Sequence, residues 1–122
     1  MNALTHQKPH PVLTLTQLAN YYDVLQAAEL LATEQPKDAV PIARSVLASL
    51  LRLAWARASG KPDSEPKPES VPLKLRNRGI VSKPAMQRLR NAFEKSKNPP
   101  EMFSACRDLL VWLASKPDAV ID

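Results

Sequence analysis

An all-α fold, a bundle of four main helices plus one short helix, is predicted by three features of the sequence. Apolar residues recur at helical spacing in four separate stretches. Only 2 glycines occur, too few for the tight turns of an all-β chain. The 12 prolines cluster between the periodic stretches, where they punctuate helices rather than break them. A chain of 122 residues suits one domain and buries roughly two thirds of its unfolded surface, enough for a core without staples. The expected organisation is a flexible tail over 1–12, one helical domain over 13–117 with a mobile proline-rich loop at 60–70, and a short tail over 118–122.

The first helix is expected from about Leu15 to Thr33. Thr14 and Gln17 have capping-box spacing, and Leu13 with Leu18 suits the accompanying hydrophobic staple. Leu18, Tyr21, Leu25, Ala28 and Ala32 form a stripe, widened by Val24 and Leu31. A short turn, Glu34 to Lys37, makes this helix an antiparallel neighbour of the next. The second helix, Ala39–Ser59, organises the chain. Ile42, Ala43, Val46, Leu47, Leu50, Leu51, Leu53, Ala54 and Trp55 spread over more than half its circumference, so it should touch several neighbours at once. Asp38 suits its start, Pro41 its first turn, and Gly60 its end.

Gly60 to Ser70 (GKPDSEPKPES) has no large apolar side chain and reads as an exposed loop. A short helix follows over Val71–Arg78, with Gly79 at its left-handed terminal position. Ser82 opens a helix from about Pro84 to Lys95, which puts Ala85, Met86, Leu89, Ala92 and Phe93 on one face. Asn98 and Glu101 are spaced as a cap pair for the last helix, Pro99–Ser115. That helix buries Met102, Phe103, Ala105, Cys106, Leu109, Leu110 and Leu113.

Charge is concentrated in one place. Residues 1–60 hold 5 basic and 4 acidic side chains, whereas Lys74 to Lys97 hold 8 basic residues against Glu94 alone. Such a segment, in a chain of net charge +5, points to a polyanionic partner, because a merely soluble face mixes signs. The nucleic-acid-binding residues expected from it are Lys74, Arg76, Arg78, Lys83, Gln87, Arg88, Arg90, Asn91, Lys95 and Lys97. A solvated basic face with no ligand is the alternative, since lysine and arginine are good helix formers.

Enzyme signatures are absent: no phosphate-binding glycine loop, no GxSxG and no HExxH occurs. His6 and His10 have the spacing of a helical metal pair, but Pro9 and Pro11 remove the helix that would align them. Asp23, Glu29, Glu94 and Asp108 are the carboxylates with scope to converge in three dimensions. Cys106 falls in the middle of an apolar arc, where a thiol is inert. The expectation is no catalytic residue, no metal and no cofactor. No apolar run approaches the ~18 residues that span a bilayer, and MNALTHQKPHPVL lacks the continuous apolar core of a signal peptide. One cysteine makes no internal disulfide. A cytoplasmic protein without a membrane partner is expected.

From Ala39 to Ser115 the chain resembles the HEPN superfamily of helical-bundle domains, in particular a bacterial branch found in defence and mobile-element proteins. The resembling passages are ARSVLASLLRLAWA, LKLRNRGIVSKPAMQRL, and LRNAF followed by a loop and a terminal amphipathic helix. Active members are ribonucleases whose signature is Arg, four to six residues, then His. Arg90-Asn91 occupies the Arg-polar position, but the His positions hold Lys95, Ser96 or Lys97. The resemblance therefore implies a non-catalytic member that binds or assembles, often as a dimer.

Two further functions start from the same residues. LKLRNRGIVSKPAMQRLRNAF has the order of a helix-turn-helix, which would aim Lys83, Gln87, Arg88 and Asn91 at a major groove and set Arg76 and Arg78 on phosphates. A protein–protein assembly module would bind no nucleic acid. A homodimer is also expected, with Trp55 and Trp112 as candidates for its seam, unless both close the intramolecular core.

Overall fold

The computed structural model describes residues 15–60, 66–115 and 119–122. The described chain is all-α. Five α-helices follow one another: α1 Leu15–Glu34, α2 Pro36–Ser59, α3 Val71–Asn77, α4 Lys83–Glu94 and α5 Pro99–Ala114, with a 3-10 turn at Pro68–Ser70 before α3. Thr14, His6 and His10 lie outside the described residues.

The helix α2 touches all four others, most extensively α5 and α1. Its fully buried side chains Ala39, Ala43, Leu47, Leu50 and Ala54 advance by three or four residues, with Leu51 beside Leu47 one turn on, and so form one continuous face. The face is narrower than its apolar content suggests. Ile42 is exposed, and Val46, Leu53 and Trp55 are only half-buried. The helix also starts three residues earlier than Ala39. Pro36 takes the first turn, Gln35 precedes it, and Asp38 lies inside the first turn as a charge favourable to the helix dipole. Gly60 closes the helix in the left-handed region, donating its N–H to the Ala56 carbonyl. α2 is the one described helix long and apolar enough to cross a membrane; its apolar face is occupied by its neighbours.

Leu50 sits in this face against the other buried residues of the core. Leu50→Ala is expected to destabilise the protein by about 2–5 kcal/mol through lost transfer energy and the cavity left behind. A denaturant titration showing less than about 1 kcal/mol would remove Leu50 from the core.

α1 is the least buried of the long helices. Leu25 and Ala28 are buried, Leu18, Tyr21, Leu31 and Ala32 are half-buried, and Tyr22, Val24 and Leu30 face outward. It lies across α2 and α5, and Arg107 on α5 pairs with Glu29 at its edge.

Three expectations are corrected by packing. Residues 119–122 do not form a loose tail. Ile121 is buried, lies in a parallel bridge with Val81, donates its N–H to Ile80 and accepts from Ser82. An apolar side chain and two backbone bonds hold this end against the α3–α4 connection. Second, the 60–70 loop is only partly a loop. Residues 61–65 lie outside the described residues, but Pro68 is buried and opens the 3-10 turn that leads into α3. Third, Trp112 is 3% exposed and belongs to the core, where its Nε1 donates to the Ala119 carbonyl at 2.8 Å. It is not available for a dimer seam.

Candidate nucleic-acid interface

The basic segment is carried by α3, α4 and the connections on either side of α4. Its local structure follows the sequence closely. α3 ends where Gly79 adopts φ 75°, with the Gly79 N–H bonded to Arg76 and the Ile80 N–H to Leu75. These two bonds satisfy the last carbonyls of the helix and require the left-handed residue between them. Ser82 then caps α4, its side chain accepting from the Ala85 N–H at 3.2 Å. Asn98 makes no such side-chain cap for α5. There Pro99 occupies the first turn, and the Ser96 hydroxyl bonds the Asn98 N–H instead.

On α4, Ala85, Met86, Leu89 and Ala92 are buried, while Lys83, Gln87, Arg88, Arg90, Asn91 and Lys95 are exposed. At 100° per residue, Gln87 and Asn91 lie in the middle of the exposed arc. Lys83 and Arg90 flank them on one side, Arg88 and Lys95 on the other. Lys97 is exposed just beyond the helix, and Arg76 and Arg78 are exposed on and after α3. Lys74 is half-buried. Its ammonium and the Arg78 guanidinium sit 5.1 and 5.0 Å from the centroid of the half-buried Trp55 ring. Arg78 also donates to the Ala58 carbonyl at 3.2 Å.

Among the described residues, Arg90 is the one member of the eight that forms an ion pair, with Glu94 at 3.8 Å one turn on. Arg88 is compromised differently. It donates to the main-chain oxygen of Asp122 at 2.6 Å, and it opposes the burial that raises the Asp108 carboxyl above its usual range. The remaining cations face solvent or an aromatic ring.

The two ends of the segment are fastened to α2. Arg78 reaches Ala58, and Arg44 donates to the Phe93 and Ser96 carbonyls at 3.2 and 3.0 Å. Arg44 and Ala58 are separated along α2 by about 21 Å at 1.5 Å per residue. The segment is therefore anchored to α2 at two points about 21 Å apart.

Sequence reasoning missed two arginines on α2 itself. Arg44 holds the end of α4, and Arg57 holds the end of α5. Arg57 is 2% exposed, stacks 4.5 Å from the Trp112 centroid, and donates to the Trp112 and Ser115 carbonyls. Burial lowers its pKa from the ordinary arginine value. The available signal was position. Ala43, Leu47, Leu50, Ala54 and Arg57 continue one three-four progression, which puts the arginine on the core face.

The candidate catalytic groups are dispersed. Glu29 engages Arg107, Glu94 engages Arg90, and Asp108 lies beside Arg88. Among the described residues, no three His, Cys, Asp or Glu side chains converge as a metal site would need. At the HEPN-like histidine positions, Lys95 and Lys97 are exposed and Ser96 is buried. Cys106 is fully buried, and desolvation pushes its thiol up to about 12. Buried and held as the neutral thiol, it is expected to resist a thiolate-selective reagent in the native protein and to react on unfolding. Rapid stoichiometric labelling of the native chain would contradict this.

No protein-family model matches the chain, and comparison with curated proteins and with solved structures yields no match either, so the HEPN-like resemblance gains no support there and the site rests on its own residues.

Proposed function

We propose that this protein is a non-catalytic helical module that binds nucleic acid through the band from Lys74 to Lys97. One observation carries the proposal: the segment from Lys74 to Lys97 holds eight basic residues, of which Arg90 alone is ion-paired among the described residues. A largely unpaired basic segment, anchored to α2 at points about 21 Å apart, suits a strand of phosphates, which repeat every 3.4 Å along one strand of a duplex. The cations do not all lie on one side of α4, so about four to six of the eight engage phosphates at once. The helices are read as a bundle of α1, α2, α4 and α5, with α3 bridging the ends of α2 and α4 and so setting the band along one edge.

A helix-turn-helix use of the same residues is less well supported. That motif has a turn of three or four residues, whereas residues 78–82 separate α3 from α4, and Val81 within them is paired with Ile121. Arg88, one of the expected groove-facing residues, is occupied by the segment ending at Asp122.

Trp55 provides the test. Lys74 and Arg78 lie over its ring, so phosphates that draw them away change its environment. Titration with single-stranded RNA or duplex DNA is expected to shift Trp55 fluorescence, with a Kd below about 10 µM at 150 mM salt, and Trp55→Phe is expected to abolish the signal. Sequence-dependent affinity altered by Gln87→Ala and Asn91→Ala would favour a helix-turn-helix instead. No binding to either nucleic acid would sink the proposal and leave protein–protein assembly.

A further inference from the structure

A groove separate from the exposed face of α4 lies where the start of α2 meets the α4–α5 connection. It is lined by Pro36, Lys37, Val40, Arg44 and Lys97. Three of the five are cations and none is a carboxylate. Lys37 and Lys97 are exposed, and neither is ion-paired among the described residues. Asp38 follows Lys37 in sequence but does not line the groove. Arg44 is half-buried and fixed, with Nε bonded to the Phe93 carbonyl and an amino group bonded to the Ser96 carbonyl. Those bonds use two of its five donors. Because carbonyls carry no net charge, they orient the guanidinium without neutralising it.

We propose that this groove is a phosphate site that takes a terminal phosphate monoester, borne by a free nucleotide or by the end of a nucleic-acid strand. A monoester carries about −1.5 to −2 charges and three acceptor oxygens at neutral pH, which suits a groove lined by three cations better than the single charge of a backbone diester. The guanidinium supplies directed donors and the two lysines supply mobile point charges. Pro36 and Val40 provide an apolar wall for the sugar or the edge of a base. Lys97 is the one residue shared with the α3–α4 band; the strand-end form of the proposal rests on the function proposed above, whereas the free-nucleotide form does not.

The test uses the full chain and three probes: AMP, and one short oligonucleotide with either a 5′-phosphate or a 5′-hydroxyl. Calorimetric titration of AMP is expected to saturate, with a Kd below about 1 mM. Lys37→Ala with Lys97→Ala is expected to weaken AMP at least tenfold. Both side chains are exposed, so an unchanged melting temperature checks that the variant is folded. Arg76→Glu with Lys83→Glu is expected to leave AMP binding intact. A preference of at least fivefold for the 5′-phosphorylated oligonucleotide assigns a strand end; AMP binding without that preference assigns a free nucleotide. Failure of AMP to saturate, an unaffected lysine variant, or an equal loss in the Arg76/Lys83 variant overturns the site. AMP binding that survives when the 5′-hydroxyl oligonucleotide does not bind would sink the α3–α4 interface alone.

Discussion

Replacing Arg57 with alanine is expected to lower stability by about 2–5 kcal/mol, a large part of the roughly 5–15 kcal/mol available to a small domain. The last carbonyls of a helix have no partner within it. For α5, two of these positions are met by Arg57, through the Trp112 and Ser115 oxygens. Truncation strands the Ser115 acceptor, leaves the Trp112 carbonyl with the Ser115 N–H alone, and opens a void beneath the Trp112 ring, where a close-packed interior relaxes only partly. Arg57→Met is expected to lose less, about 1–3 kcal/mol. It keeps most of the volume and returns the desolvation of a charge whose Nε has no hydrogen-bond partner among the described residues. Urea titrations followed by tryptophan fluorescence give both values. A loss below about 1 kcal/mol for Arg57→Ala would mean that α5 is held by its apolar face alone.

Arg76→Glu with Lys83→Glu is expected to weaken nucleic-acid binding by about tenfold to a hundredfold at moderate salt, whatever the sequence bound, because phosphate contacts position without reading bases. Both side chains are exposed and neither is ion-paired among the described residues. Their reversal should therefore leave stability within about 0.5 kcal/mol. Arg88 is the wrong residue for this experiment. Its bond to Asp122 helps hold the end of the chain, so its loss would mix binding with unfastening. Competition binding with one labelled duplex checks the pair; an unchanged affinity would exclude Arg76 and Lys83 from the interface.

The helices were legible because their signals are local. The turn around Gly79 and the Ser82 cap were predicted by residue type alone, and the structure forms both. What stayed hidden depends on partners distant in sequence. Residues 119–122 are too few to show a period, and only their pairing with residues 80–82 makes them ordered structure. Arg57 reads as a polar residue near a helix end until the carbonyls of α5 are brought to it. Likewise, the concentration of charge between Lys74 and Lys97 was visible in composition, but not its state. That Arg90 is paired, that Arg88 is held by Asp122, and that Lys74 and Arg78 share the Trp55 ring follow from the packing of α2, α3 and α4. The groove at Lys37, Arg44 and Lys97 joins residues from two segments and has no signature in either.

The most direct measurement of the central claim is the salt dependence of affinity for a short nucleic acid. Each phosphate neutralised by the band releases condensed counterions, so log affinity falls linearly with log salt, by about 0.7–0.9 per contact. With about four to six contacts, the expected slope is about −3 to −5 for the native protein. For Arg76→Glu with Lys83→Glu the slope is shallower by about two contacts, or roughly 1.4–1.8. A slope near zero, or the same slope in both proteins, would contradict a phosphate-binding band between Lys74 and Lys97.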